Sequence, residues 1–244
     1  AKLLGKPLVI HEQNSIAGLT NKTLAVFANK VLAAFPSAFG TKALLVGNPV
    51  RQEITELSSP KQRYAERTGN LKLLVVGGSL GATALNEVLP KALAGLPKDT
   101  RPEVIHQAGE KHITALQANY YAAGVEADTK AFINNMAEMY AWADVVVCRA
   151  GALTVAELAC VGVASVLVPF PHAVDDHQTY NALYLSDAGA AKLIQQTEFS
   201  VSKATEILSS LTREICLDMA IKAKQLAKPE AAGTVAKICM EMAR

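Results

Sequence analysis

Several stretches of this sequence place glycine, hydroxyl, amide or carboxylate groups directly after an apolar run, where they can act on a phosphate or a sugar. The first is 73–82, LLVVGGSLGA. Gly78 and Gly81 let the backbone bend tightly and approach a ligand, the N–H groups that open the next helix attract an anion, and Ser79 adds a hydroxyl donor. The spacing is neither G-x-G-x-x-G nor a Walker loop, so an ordinary strand–helix turn is the plain alternative. The second stretch is 148–157, CRAGALTVAE, with the same order of strand end, glycine turn and helix. Leu153 and Glu157 lie four apart and share a helix face. A carboxylate there accepts hydrogen bonds from a ribose diol, or it only offsets its own helix dipole, and spacing leaves both readings open.

The third stretch is 169–181, PFPHAVDDHQTYN, where two prolines stiffen a polar segment suited to sugar hydroxyls. His172, Asp175, Asp176 and His177 also admit a metal reading, but no strong ligand spacing supports it. Adjacent aspartates before a helix are more simply N-caps. In the front part, 11–14 (HEQN) ends an apolar run with polar tips expected to face the same cleft. Asn48-Pro49-Val50-Arg51 puts a guanidinium at a junction, where it can bridge two phosphate oxygens. The plain alternatives for these two are a capped helix start and a solvated linker arginine.

The elements that position these groups alternate between short apolar runs and helical periodicity, the pattern of βαβ units and a parallel sheet. Strands are expected at 8–11, 44–47, 72–76, 103–106, 144–148, 164–168 and 190–194. Helices are expected at 16–33, 82–94, 111–123, 134–142, 153–162, 177–187, 201–211, 213–227 and 230–243. A boundary falls between Pro49 and Gly69, with the polar stretch 58–63 inside it. Residues 1–50 then supply only two strands and one helix, while 51–244 hold five strand–helix pairs, a nearly complete doubly wound domain. Of the three closing helices, the last is expected to pack back on the front part. The opening Ala1-Lys2-Leu3-Leu4-Gly5 reads as a helix end stopped by glycine, so a fragment cut through an α/β unit is expected. The apolar stripe Leu19, Leu24, Val26, Phe27, Val31 and Leu32 is expected to pack in the core rather than face a membrane.

The 24 basic and 22 acidic residues nearly cancel, which argues against a protein built around nucleic acid. The four cysteines have no CxxC spacing and read as reduced, as in a cytoplasmic protein. No apolar run reaches the length of a membrane span, and no signal-peptide pattern is present.

Taken in order, HEQNSIAGLTNK, VGNPVR, LLVVGGSLGA, FINNMAEMYAWADVVVCRAGALTVAELA and DDHQTYNA resemble the MurG family of bacterial glycosyltransferases. That family moves N-acetylglucosamine from UDP-N-acetylglucosamine to undecaprenyl-diphospho-N-acetylmuramoyl-pentapeptide in peptidoglycan synthesis, and so serves cell-wall biogenesis, shape and division. The resemblance implies an α/β chain of GT-B type, with Rossmann-like parallel sheets facing across a cleft. It implies peripheral attachment at the cytoplasmic face of the inner membrane, and no metal or other cofactor. Carried over by position, Arg51 and Ser79 meet the diphosphate and Ile133 offers main-chain groups to uracil. Ala152, Leu153, Thr154, Val155 and Ala156 line the phosphate and sugar region, Glu157 holds the ribose, Gln178 reads the sugar hydroxyls and Asn14 approaches the sugar from the front. Gly78, Gly81 and His177 are weaker candidates.

Two departures follow. The family's acceptor loop, with its proposed general-base histidine, belongs upstream of residue 1, so no catalytic residue is assigned here and the chain alone is expected to transfer little sugar. Leu80 stands where many relatives carry glutamine. The implied reaction is an inverting displacement with UDP leaving toward Arg51 and the helix start after Gly78. A UDP-N-acetylglucosamine 2-epimerase, or a non-catalytic UDP-sugar-binding half of a split transferase, are the alternative readings.

Overall fold

A computed structural model of the chain describes residues 4–78 and 82–243. Ser79, Leu80 and Gly81, singled out above, lie outside the described residues. In the front part, β1 (Val9–Glu12), β2 (Lys30–Ala33) and β3 (Leu44–Leu45) form a parallel sheet in that order. The expected helix 16–33 is corrected: α1 (Leu19–Ala25) is shorter, and the second half of the segment is β2. The cause is long-range pairing. Asn29 accepts from Leu8 N through its side chain at 2.9 Å and donates its own N–H to Leu8 O at 2.8 Å, which lays Lys30 onward beside β1. Dividing the stripe between a helix and a strand also overturns its expected core packing. Leu19 and Val26 are 80% and 75% exposed and Phe27 is 50% exposed, whereas Leu32 on β2 is fully buried.

The rest is built on six parallel strands: β4 (Lys72–Val76), β5 (Glu103–Gln107), β6 (Asp128–Lys130), β7 (Val145–Cys148), β8 (Ala164–Leu167) and β9 (Ala191–Leu193). Their spatial order is β6-β5-β4-β7-β8-β9. The chain works outward from β4 on one side, then returns to its other side at β7, so the order reverses between these two strands. That makes the crevice beyond their carboxyl ends the place where such sheets hold ligands. The strand β6 was not expected, because three residues with a charge at each end carry too little apolar signal for an edge strand.

Alternation along the strands divides the core. Leu73, Val75, Val145, Val147 and Val166 face α4 (Thr83–Ala94), α5 (Ile113–Ala123), α9 (Val201–Ser209) and α10 (Arg213–Gln225). Leu74, Val146, Cys148 and Leu167 face α2 (Gln52–Thr55), α6 (Met136–Trp142), α7 (Ala152–Val161) and α8 (His177–Ser186). The stretch read as a polar linker folds as α3 (Pro60–Ala65), opened by a reciprocal capping box between Ser59 and Gln62. From α3 and the turn that follows it, Arg63 donates to the carbonyls of Val161 and Gly162, and Arg67 pairs with the fully buried Asp144. The end of α7 and the base of β7 are thereby held from one side.

The last helix, α11 (Ala231–Met242), has Ala231 as its one buried residue among those described. Ala231 and Lys228 sit so close to Gly47 that a Cβ there would fall 2.4 Å from Lys228 Cβ. The chain after α10 thus returns to the front part through its turn and first helical residue, with the remainder of α11 largely exposed or half-buried.

Candidate functional site

The carboxyl ends of β4, β5 and β7 open into one crevice. After β4, Gly78 adopts φ +80°, a left-handed conformation that favours glycine. Its peptide is gripped by Gln107 at the end of β5. Gln107 Oε1 accepts from Gly78 N at 3.0 Å, while Gln107 Nε2 donates to Gly78 O at 3.0 Å and Ala131 O at 3.1 Å. At 3% exposure, this amide joins the glycine turn to the segment carrying Phe132 and Ile133. Arg51, Gly78, Gln107, Phe132, Ile133 and Met136 are among the residues lining a cavity of about 190 Å³ there. Ile133 is buried and Phe132 exposed, and both line the cavity.

Neighbouring His106 anchors the same strand from below. Its Nδ1 lies 2.9 Å from Tyr120 Oη and its Nε2 lies 3.0 Å from Asn86 Oδ1 on α4. Burial pushes its pKa down to about 3, so the ring is neutral at ordinary pH.

Beyond β7, Gly151 opens α7, leaving the N–H groups of Ala152, Leu153 and Thr154 without partners inside the helix. Leu153 is exposed at this helix start. Val155 is not a wall of the crevice: it is fully buried, and its N–H is spent on Gly151 O. Ala156 is half-buried, packs against the core and borders a small void with Phe35 and Tyr184. The helical turn carries Val155 away from the face of Leu153, which Ala156 and Glu157 share at three and four residues on.

Glu157 is met from two sides. Tyr140 Oη donates to its Oε2 at 3.0 Å, and Arg51 Nη2 reaches its Oε1 at 3.4 Å. Cys148, close by, is no nucleophile, because burial and the Glu157 charge push its thiol up to about 12.

At the end of β8, Gln178 Oε1 accepts from Ala150 N at 3.2 Å and Phe170 N at 2.9 Å, leaving its amide Nε2 as the end suited to an incoming hydroxyl. The expected N-capping by Asp175 and Asp176 is corrected. Both sit at positive φ, and the Asp176 carboxylate takes the Thr179 hydroxyl at 2.7 Å instead of a backbone N–H. His177 is half-buried beside them at the start of α8. Among the described residues, no three His, Cys, Asp or Glu side chains are placed to hold a metal.

The front part enters the same crevice. Of the HEQN tips, Glu12 is buried and serves its own loop, accepting from Asn14 N, Gly18 N and Asn21. Burial opposes its charge, but these three donors outweigh it and hold the carboxyl below its usual range. Asn14 Oδ1 accepts from the fully buried Asn181, which also takes Ser15 N at 2.8 Å and donates to Ala150 O. Asn48 donates to Gln13 O at 3.0 Å and Ala152 O at 3.3 Å. Arg51, Gly78 and Ile133 thus line one cavity that Glu157 meets through Arg51, while Gln178 and, through Asn181, Asn14 gather at Ala150.

Gln107, Tyr140 and the positioning role of Asn181 escaped sequence reasoning. Gln107 carried a usable signal, a polar residue at the end of an apolar run like the others chosen. Tyr140 carried none, since a tyrosine inside a helix reads as core.

A Rossmann-like sheet whose switch-point crevice is faced by a second parallel sheet defines the class of GT-B nucleotide-sugar enzymes. Comparison with known proteins sharpens this. The family model for the glycosyltransferase family 28 C-terminal domain matches residues 72–235, and that for the N-terminal domain matches 1–33. The UDP-N-acetylglucosamine–N-acetylmuramyl-(pentapeptide) pyrophosphoryl-undecaprenol N-acetylglucosamine transferase of Dechloromonas aromatica is 55% identical over 244 residues, covering 100% of this chain and 69% of its own length. The crystal structure of MurG from Acinetobacter baumannii superposes with a TM-score of 0.91 at 41% identity, over 99% of this chain and 68% of that one. A UDP-GlcNAc 2-epimerase from Neisseria meningitidis shares the fold alone, with a TM-score of 0.59 at 10% identity, covering 96% of this chain and 69% of its own. The chain belongs to the MurG family of glycosyltransferases.

Proposed function

We propose that this chain binds UDP-N-acetylglucosamine in the crevice and serves its transfer to the undecaprenol-linked muramoyl-pentapeptide, forming the disaccharide lipid of peptidoglycan synthesis. The observation that supports the site assignment is the placement of Arg51, Glu157, the Gly78 turn and Gln178 along the switch-point edge of the sheet. In this reading uracil meets the main chain at Ile133, and the ribose diol meets Glu157. The diphosphate meets Arg51 and the free N–H groups at the start of α7, and the sugar lies between Gln178 and Asn14.

The reaction is a single displacement. The muramoyl hydroxyl oxygen attacks the anomeric carbon from the face opposite the diphosphate, and its proton passes to a base. The bond from that carbon to the β-phosphate oxygen breaks, its electron pair leaving with UDP. Arg51 and the helix N–H groups stabilise the developing charge, the role a metal plays in other transferases. The reading assigns no residue of this chain as the base. Work at a membrane surface follows from the lipid-linked acceptor. No helix among the described residues is long and apolar enough to cross a membrane.

Calorimetric titration with UDP-N-acetylglucosamine tests the reading. Glu157→Ala and Gln178→Ala are each expected to weaken binding about tenfold or more, the worth of a hydrogen bond to a charged or well-placed polar group. Unchanged affinity in both variants overturns the residue assignment.

A further inference from the structure

Glu157 has two partners in the crevice, and they differ in kind. Tyr140 is fixed: it projects from α6, is almost fully buried, and its only polar atom points at Glu157 Oε2 across 3.0 Å. Arg51 is loose: its side chain is half exposed, it lies 3.4 Å from Oε1, and it borders the same cavity as Gly78. A carboxylate offers about four lone-pair positions, so one buried hydroxyl leaves room for the two O–H donors of a ribose diol, provided the guanidinium moves aside.

We propose that Tyr140 is a positioning residue for nucleotide recognition. Its hydroxyl holds the Glu157 carboxylate in the orientation that receives the ribose, while Arg51 guards the other oxygen until a diphosphate draws it away. This rests on the assignment of Glu157 to the ribose. Burial first, and then the Glu157 charge, raise the Tyr140 pKa well above its ordinary value, so the hydroxyl stays protonated and remains a donor. The guanidinium beside Oε1 offsets the carboxylate charge, so an arriving diphosphate does not meet a bare anion. Once Arg51 turns to the phosphates, Oε1 is released to the diol. Ribose and diphosphate recognition are thereby coupled through one side chain.

The test compares UDP with 2′,3′-dideoxy-UDP by calorimetry on the full chain. Tyr140→Phe, which removes one oxygen and keeps the ring, is expected to weaken UDP about tenfold and the dideoxy nucleotide by less than about twofold. The ratio is read on one folded sample, so a loss of stability does not move it. Equal losses for the two nucleotides, or no loss for UDP, overturn the proposal. Glu157→Gln separates the two levels. If it leaves the preference for UDP over the dideoxy nucleotide intact, the ribose assignment itself fails. If it abolishes that preference while Tyr140→Phe does not reduce it, only the positioning role fails.

Discussion

Gln107 is the side chain on which two parts of the crevice depend, because one buried amide satisfies both polar groups of the Gly78 peptide and the carbonyl of Ala131. These bonds are part-buried, each worth about 1 kcal/mol, and the segments they hold border the cavity beside Arg51 and Ile133. Gln107→Ala is therefore expected to raise the dissociation constant for UDP about tenfold, measured by calorimetry on protein whose circular dichroism is unchanged. Full affinity would refute it. His106 gives a second residue-scale prediction. Its folded pKa of about 3 lies below the ordinary 6.5, so the unfolded chain binds one more proton throughout that window. The stability that the neutral ring contributes is complete above pH 6.5 and is lost as pH falls toward 3, at ~1.4 kcal/mol per unit. Urea unfolding between about pH 5.5 and 4 should show this slope, and His106→Gln should flatten it by one proton.

At the scale of elements, the turn between α7 and β8 decides how firmly the Glu157 helix is seated. Gly162 holds φ +68°, and a Cβ there would lie 2.7 Å from Pro60 Cγ and 2.9 Å from Ala220 O. Gly124 closes α5 with a similar φ of +63° but has nothing within 4 Å of such a Cβ. Gly162→Ala therefore combines backbone strain with overpacking and is expected to cost about 3 kcal/mol, against ~1 kcal/mol for Gly124→Ala. Urea midpoints compare them directly, and equal shifts would mean that α3 and α10 yield to the methyl group.

Across the whole molecule, the front sheet is fastened to the crevice by two buried asparagines, with Asn48 holding Gln13 O and Ala152 O, and Asn181 holding Ser15 N, Asn14 Oδ1 and Ala150 O. Removing Asn181 should loosen one body without unfolding the other. Asn181→Ala is expected to speed amide hydrogen exchange across residues 9–18 by about tenfold or more while β4, β7 and β8 keep their protection. Uniform loss of protection would show instead that the two sheets unfold together.

Much of this molecule was legible in its residues. Buried parallel strands such as Val145–Cys148 advertise themselves as unbroken apolar runs, and glycine turns before helices mark the strand ends where ligands bind. Local chemistry placed Gly78, Arg51 and Glu157 as candidates and supported the doubly wound sheet, whereas Gln178 was singled out only by the family resemblance. Tertiary structure decided what depends on partners distant in sequence. The segment 30–33 became a strand because β1 and β3 lie beside it, although its own apolar spacing continues a helix. Val155 is buried and Tyr140 meets Glu157 for a related reason: helix rotation and packing against β7 settle which way a side chain points, and no local periodicity encodes the carboxylate it will meet. The residue types declared what chemistry was available. Only the packed sheets brought Arg51 to Glu157 across 106 positions of sequence, since that meeting follows from burial of the whole core and not from any short-range preference.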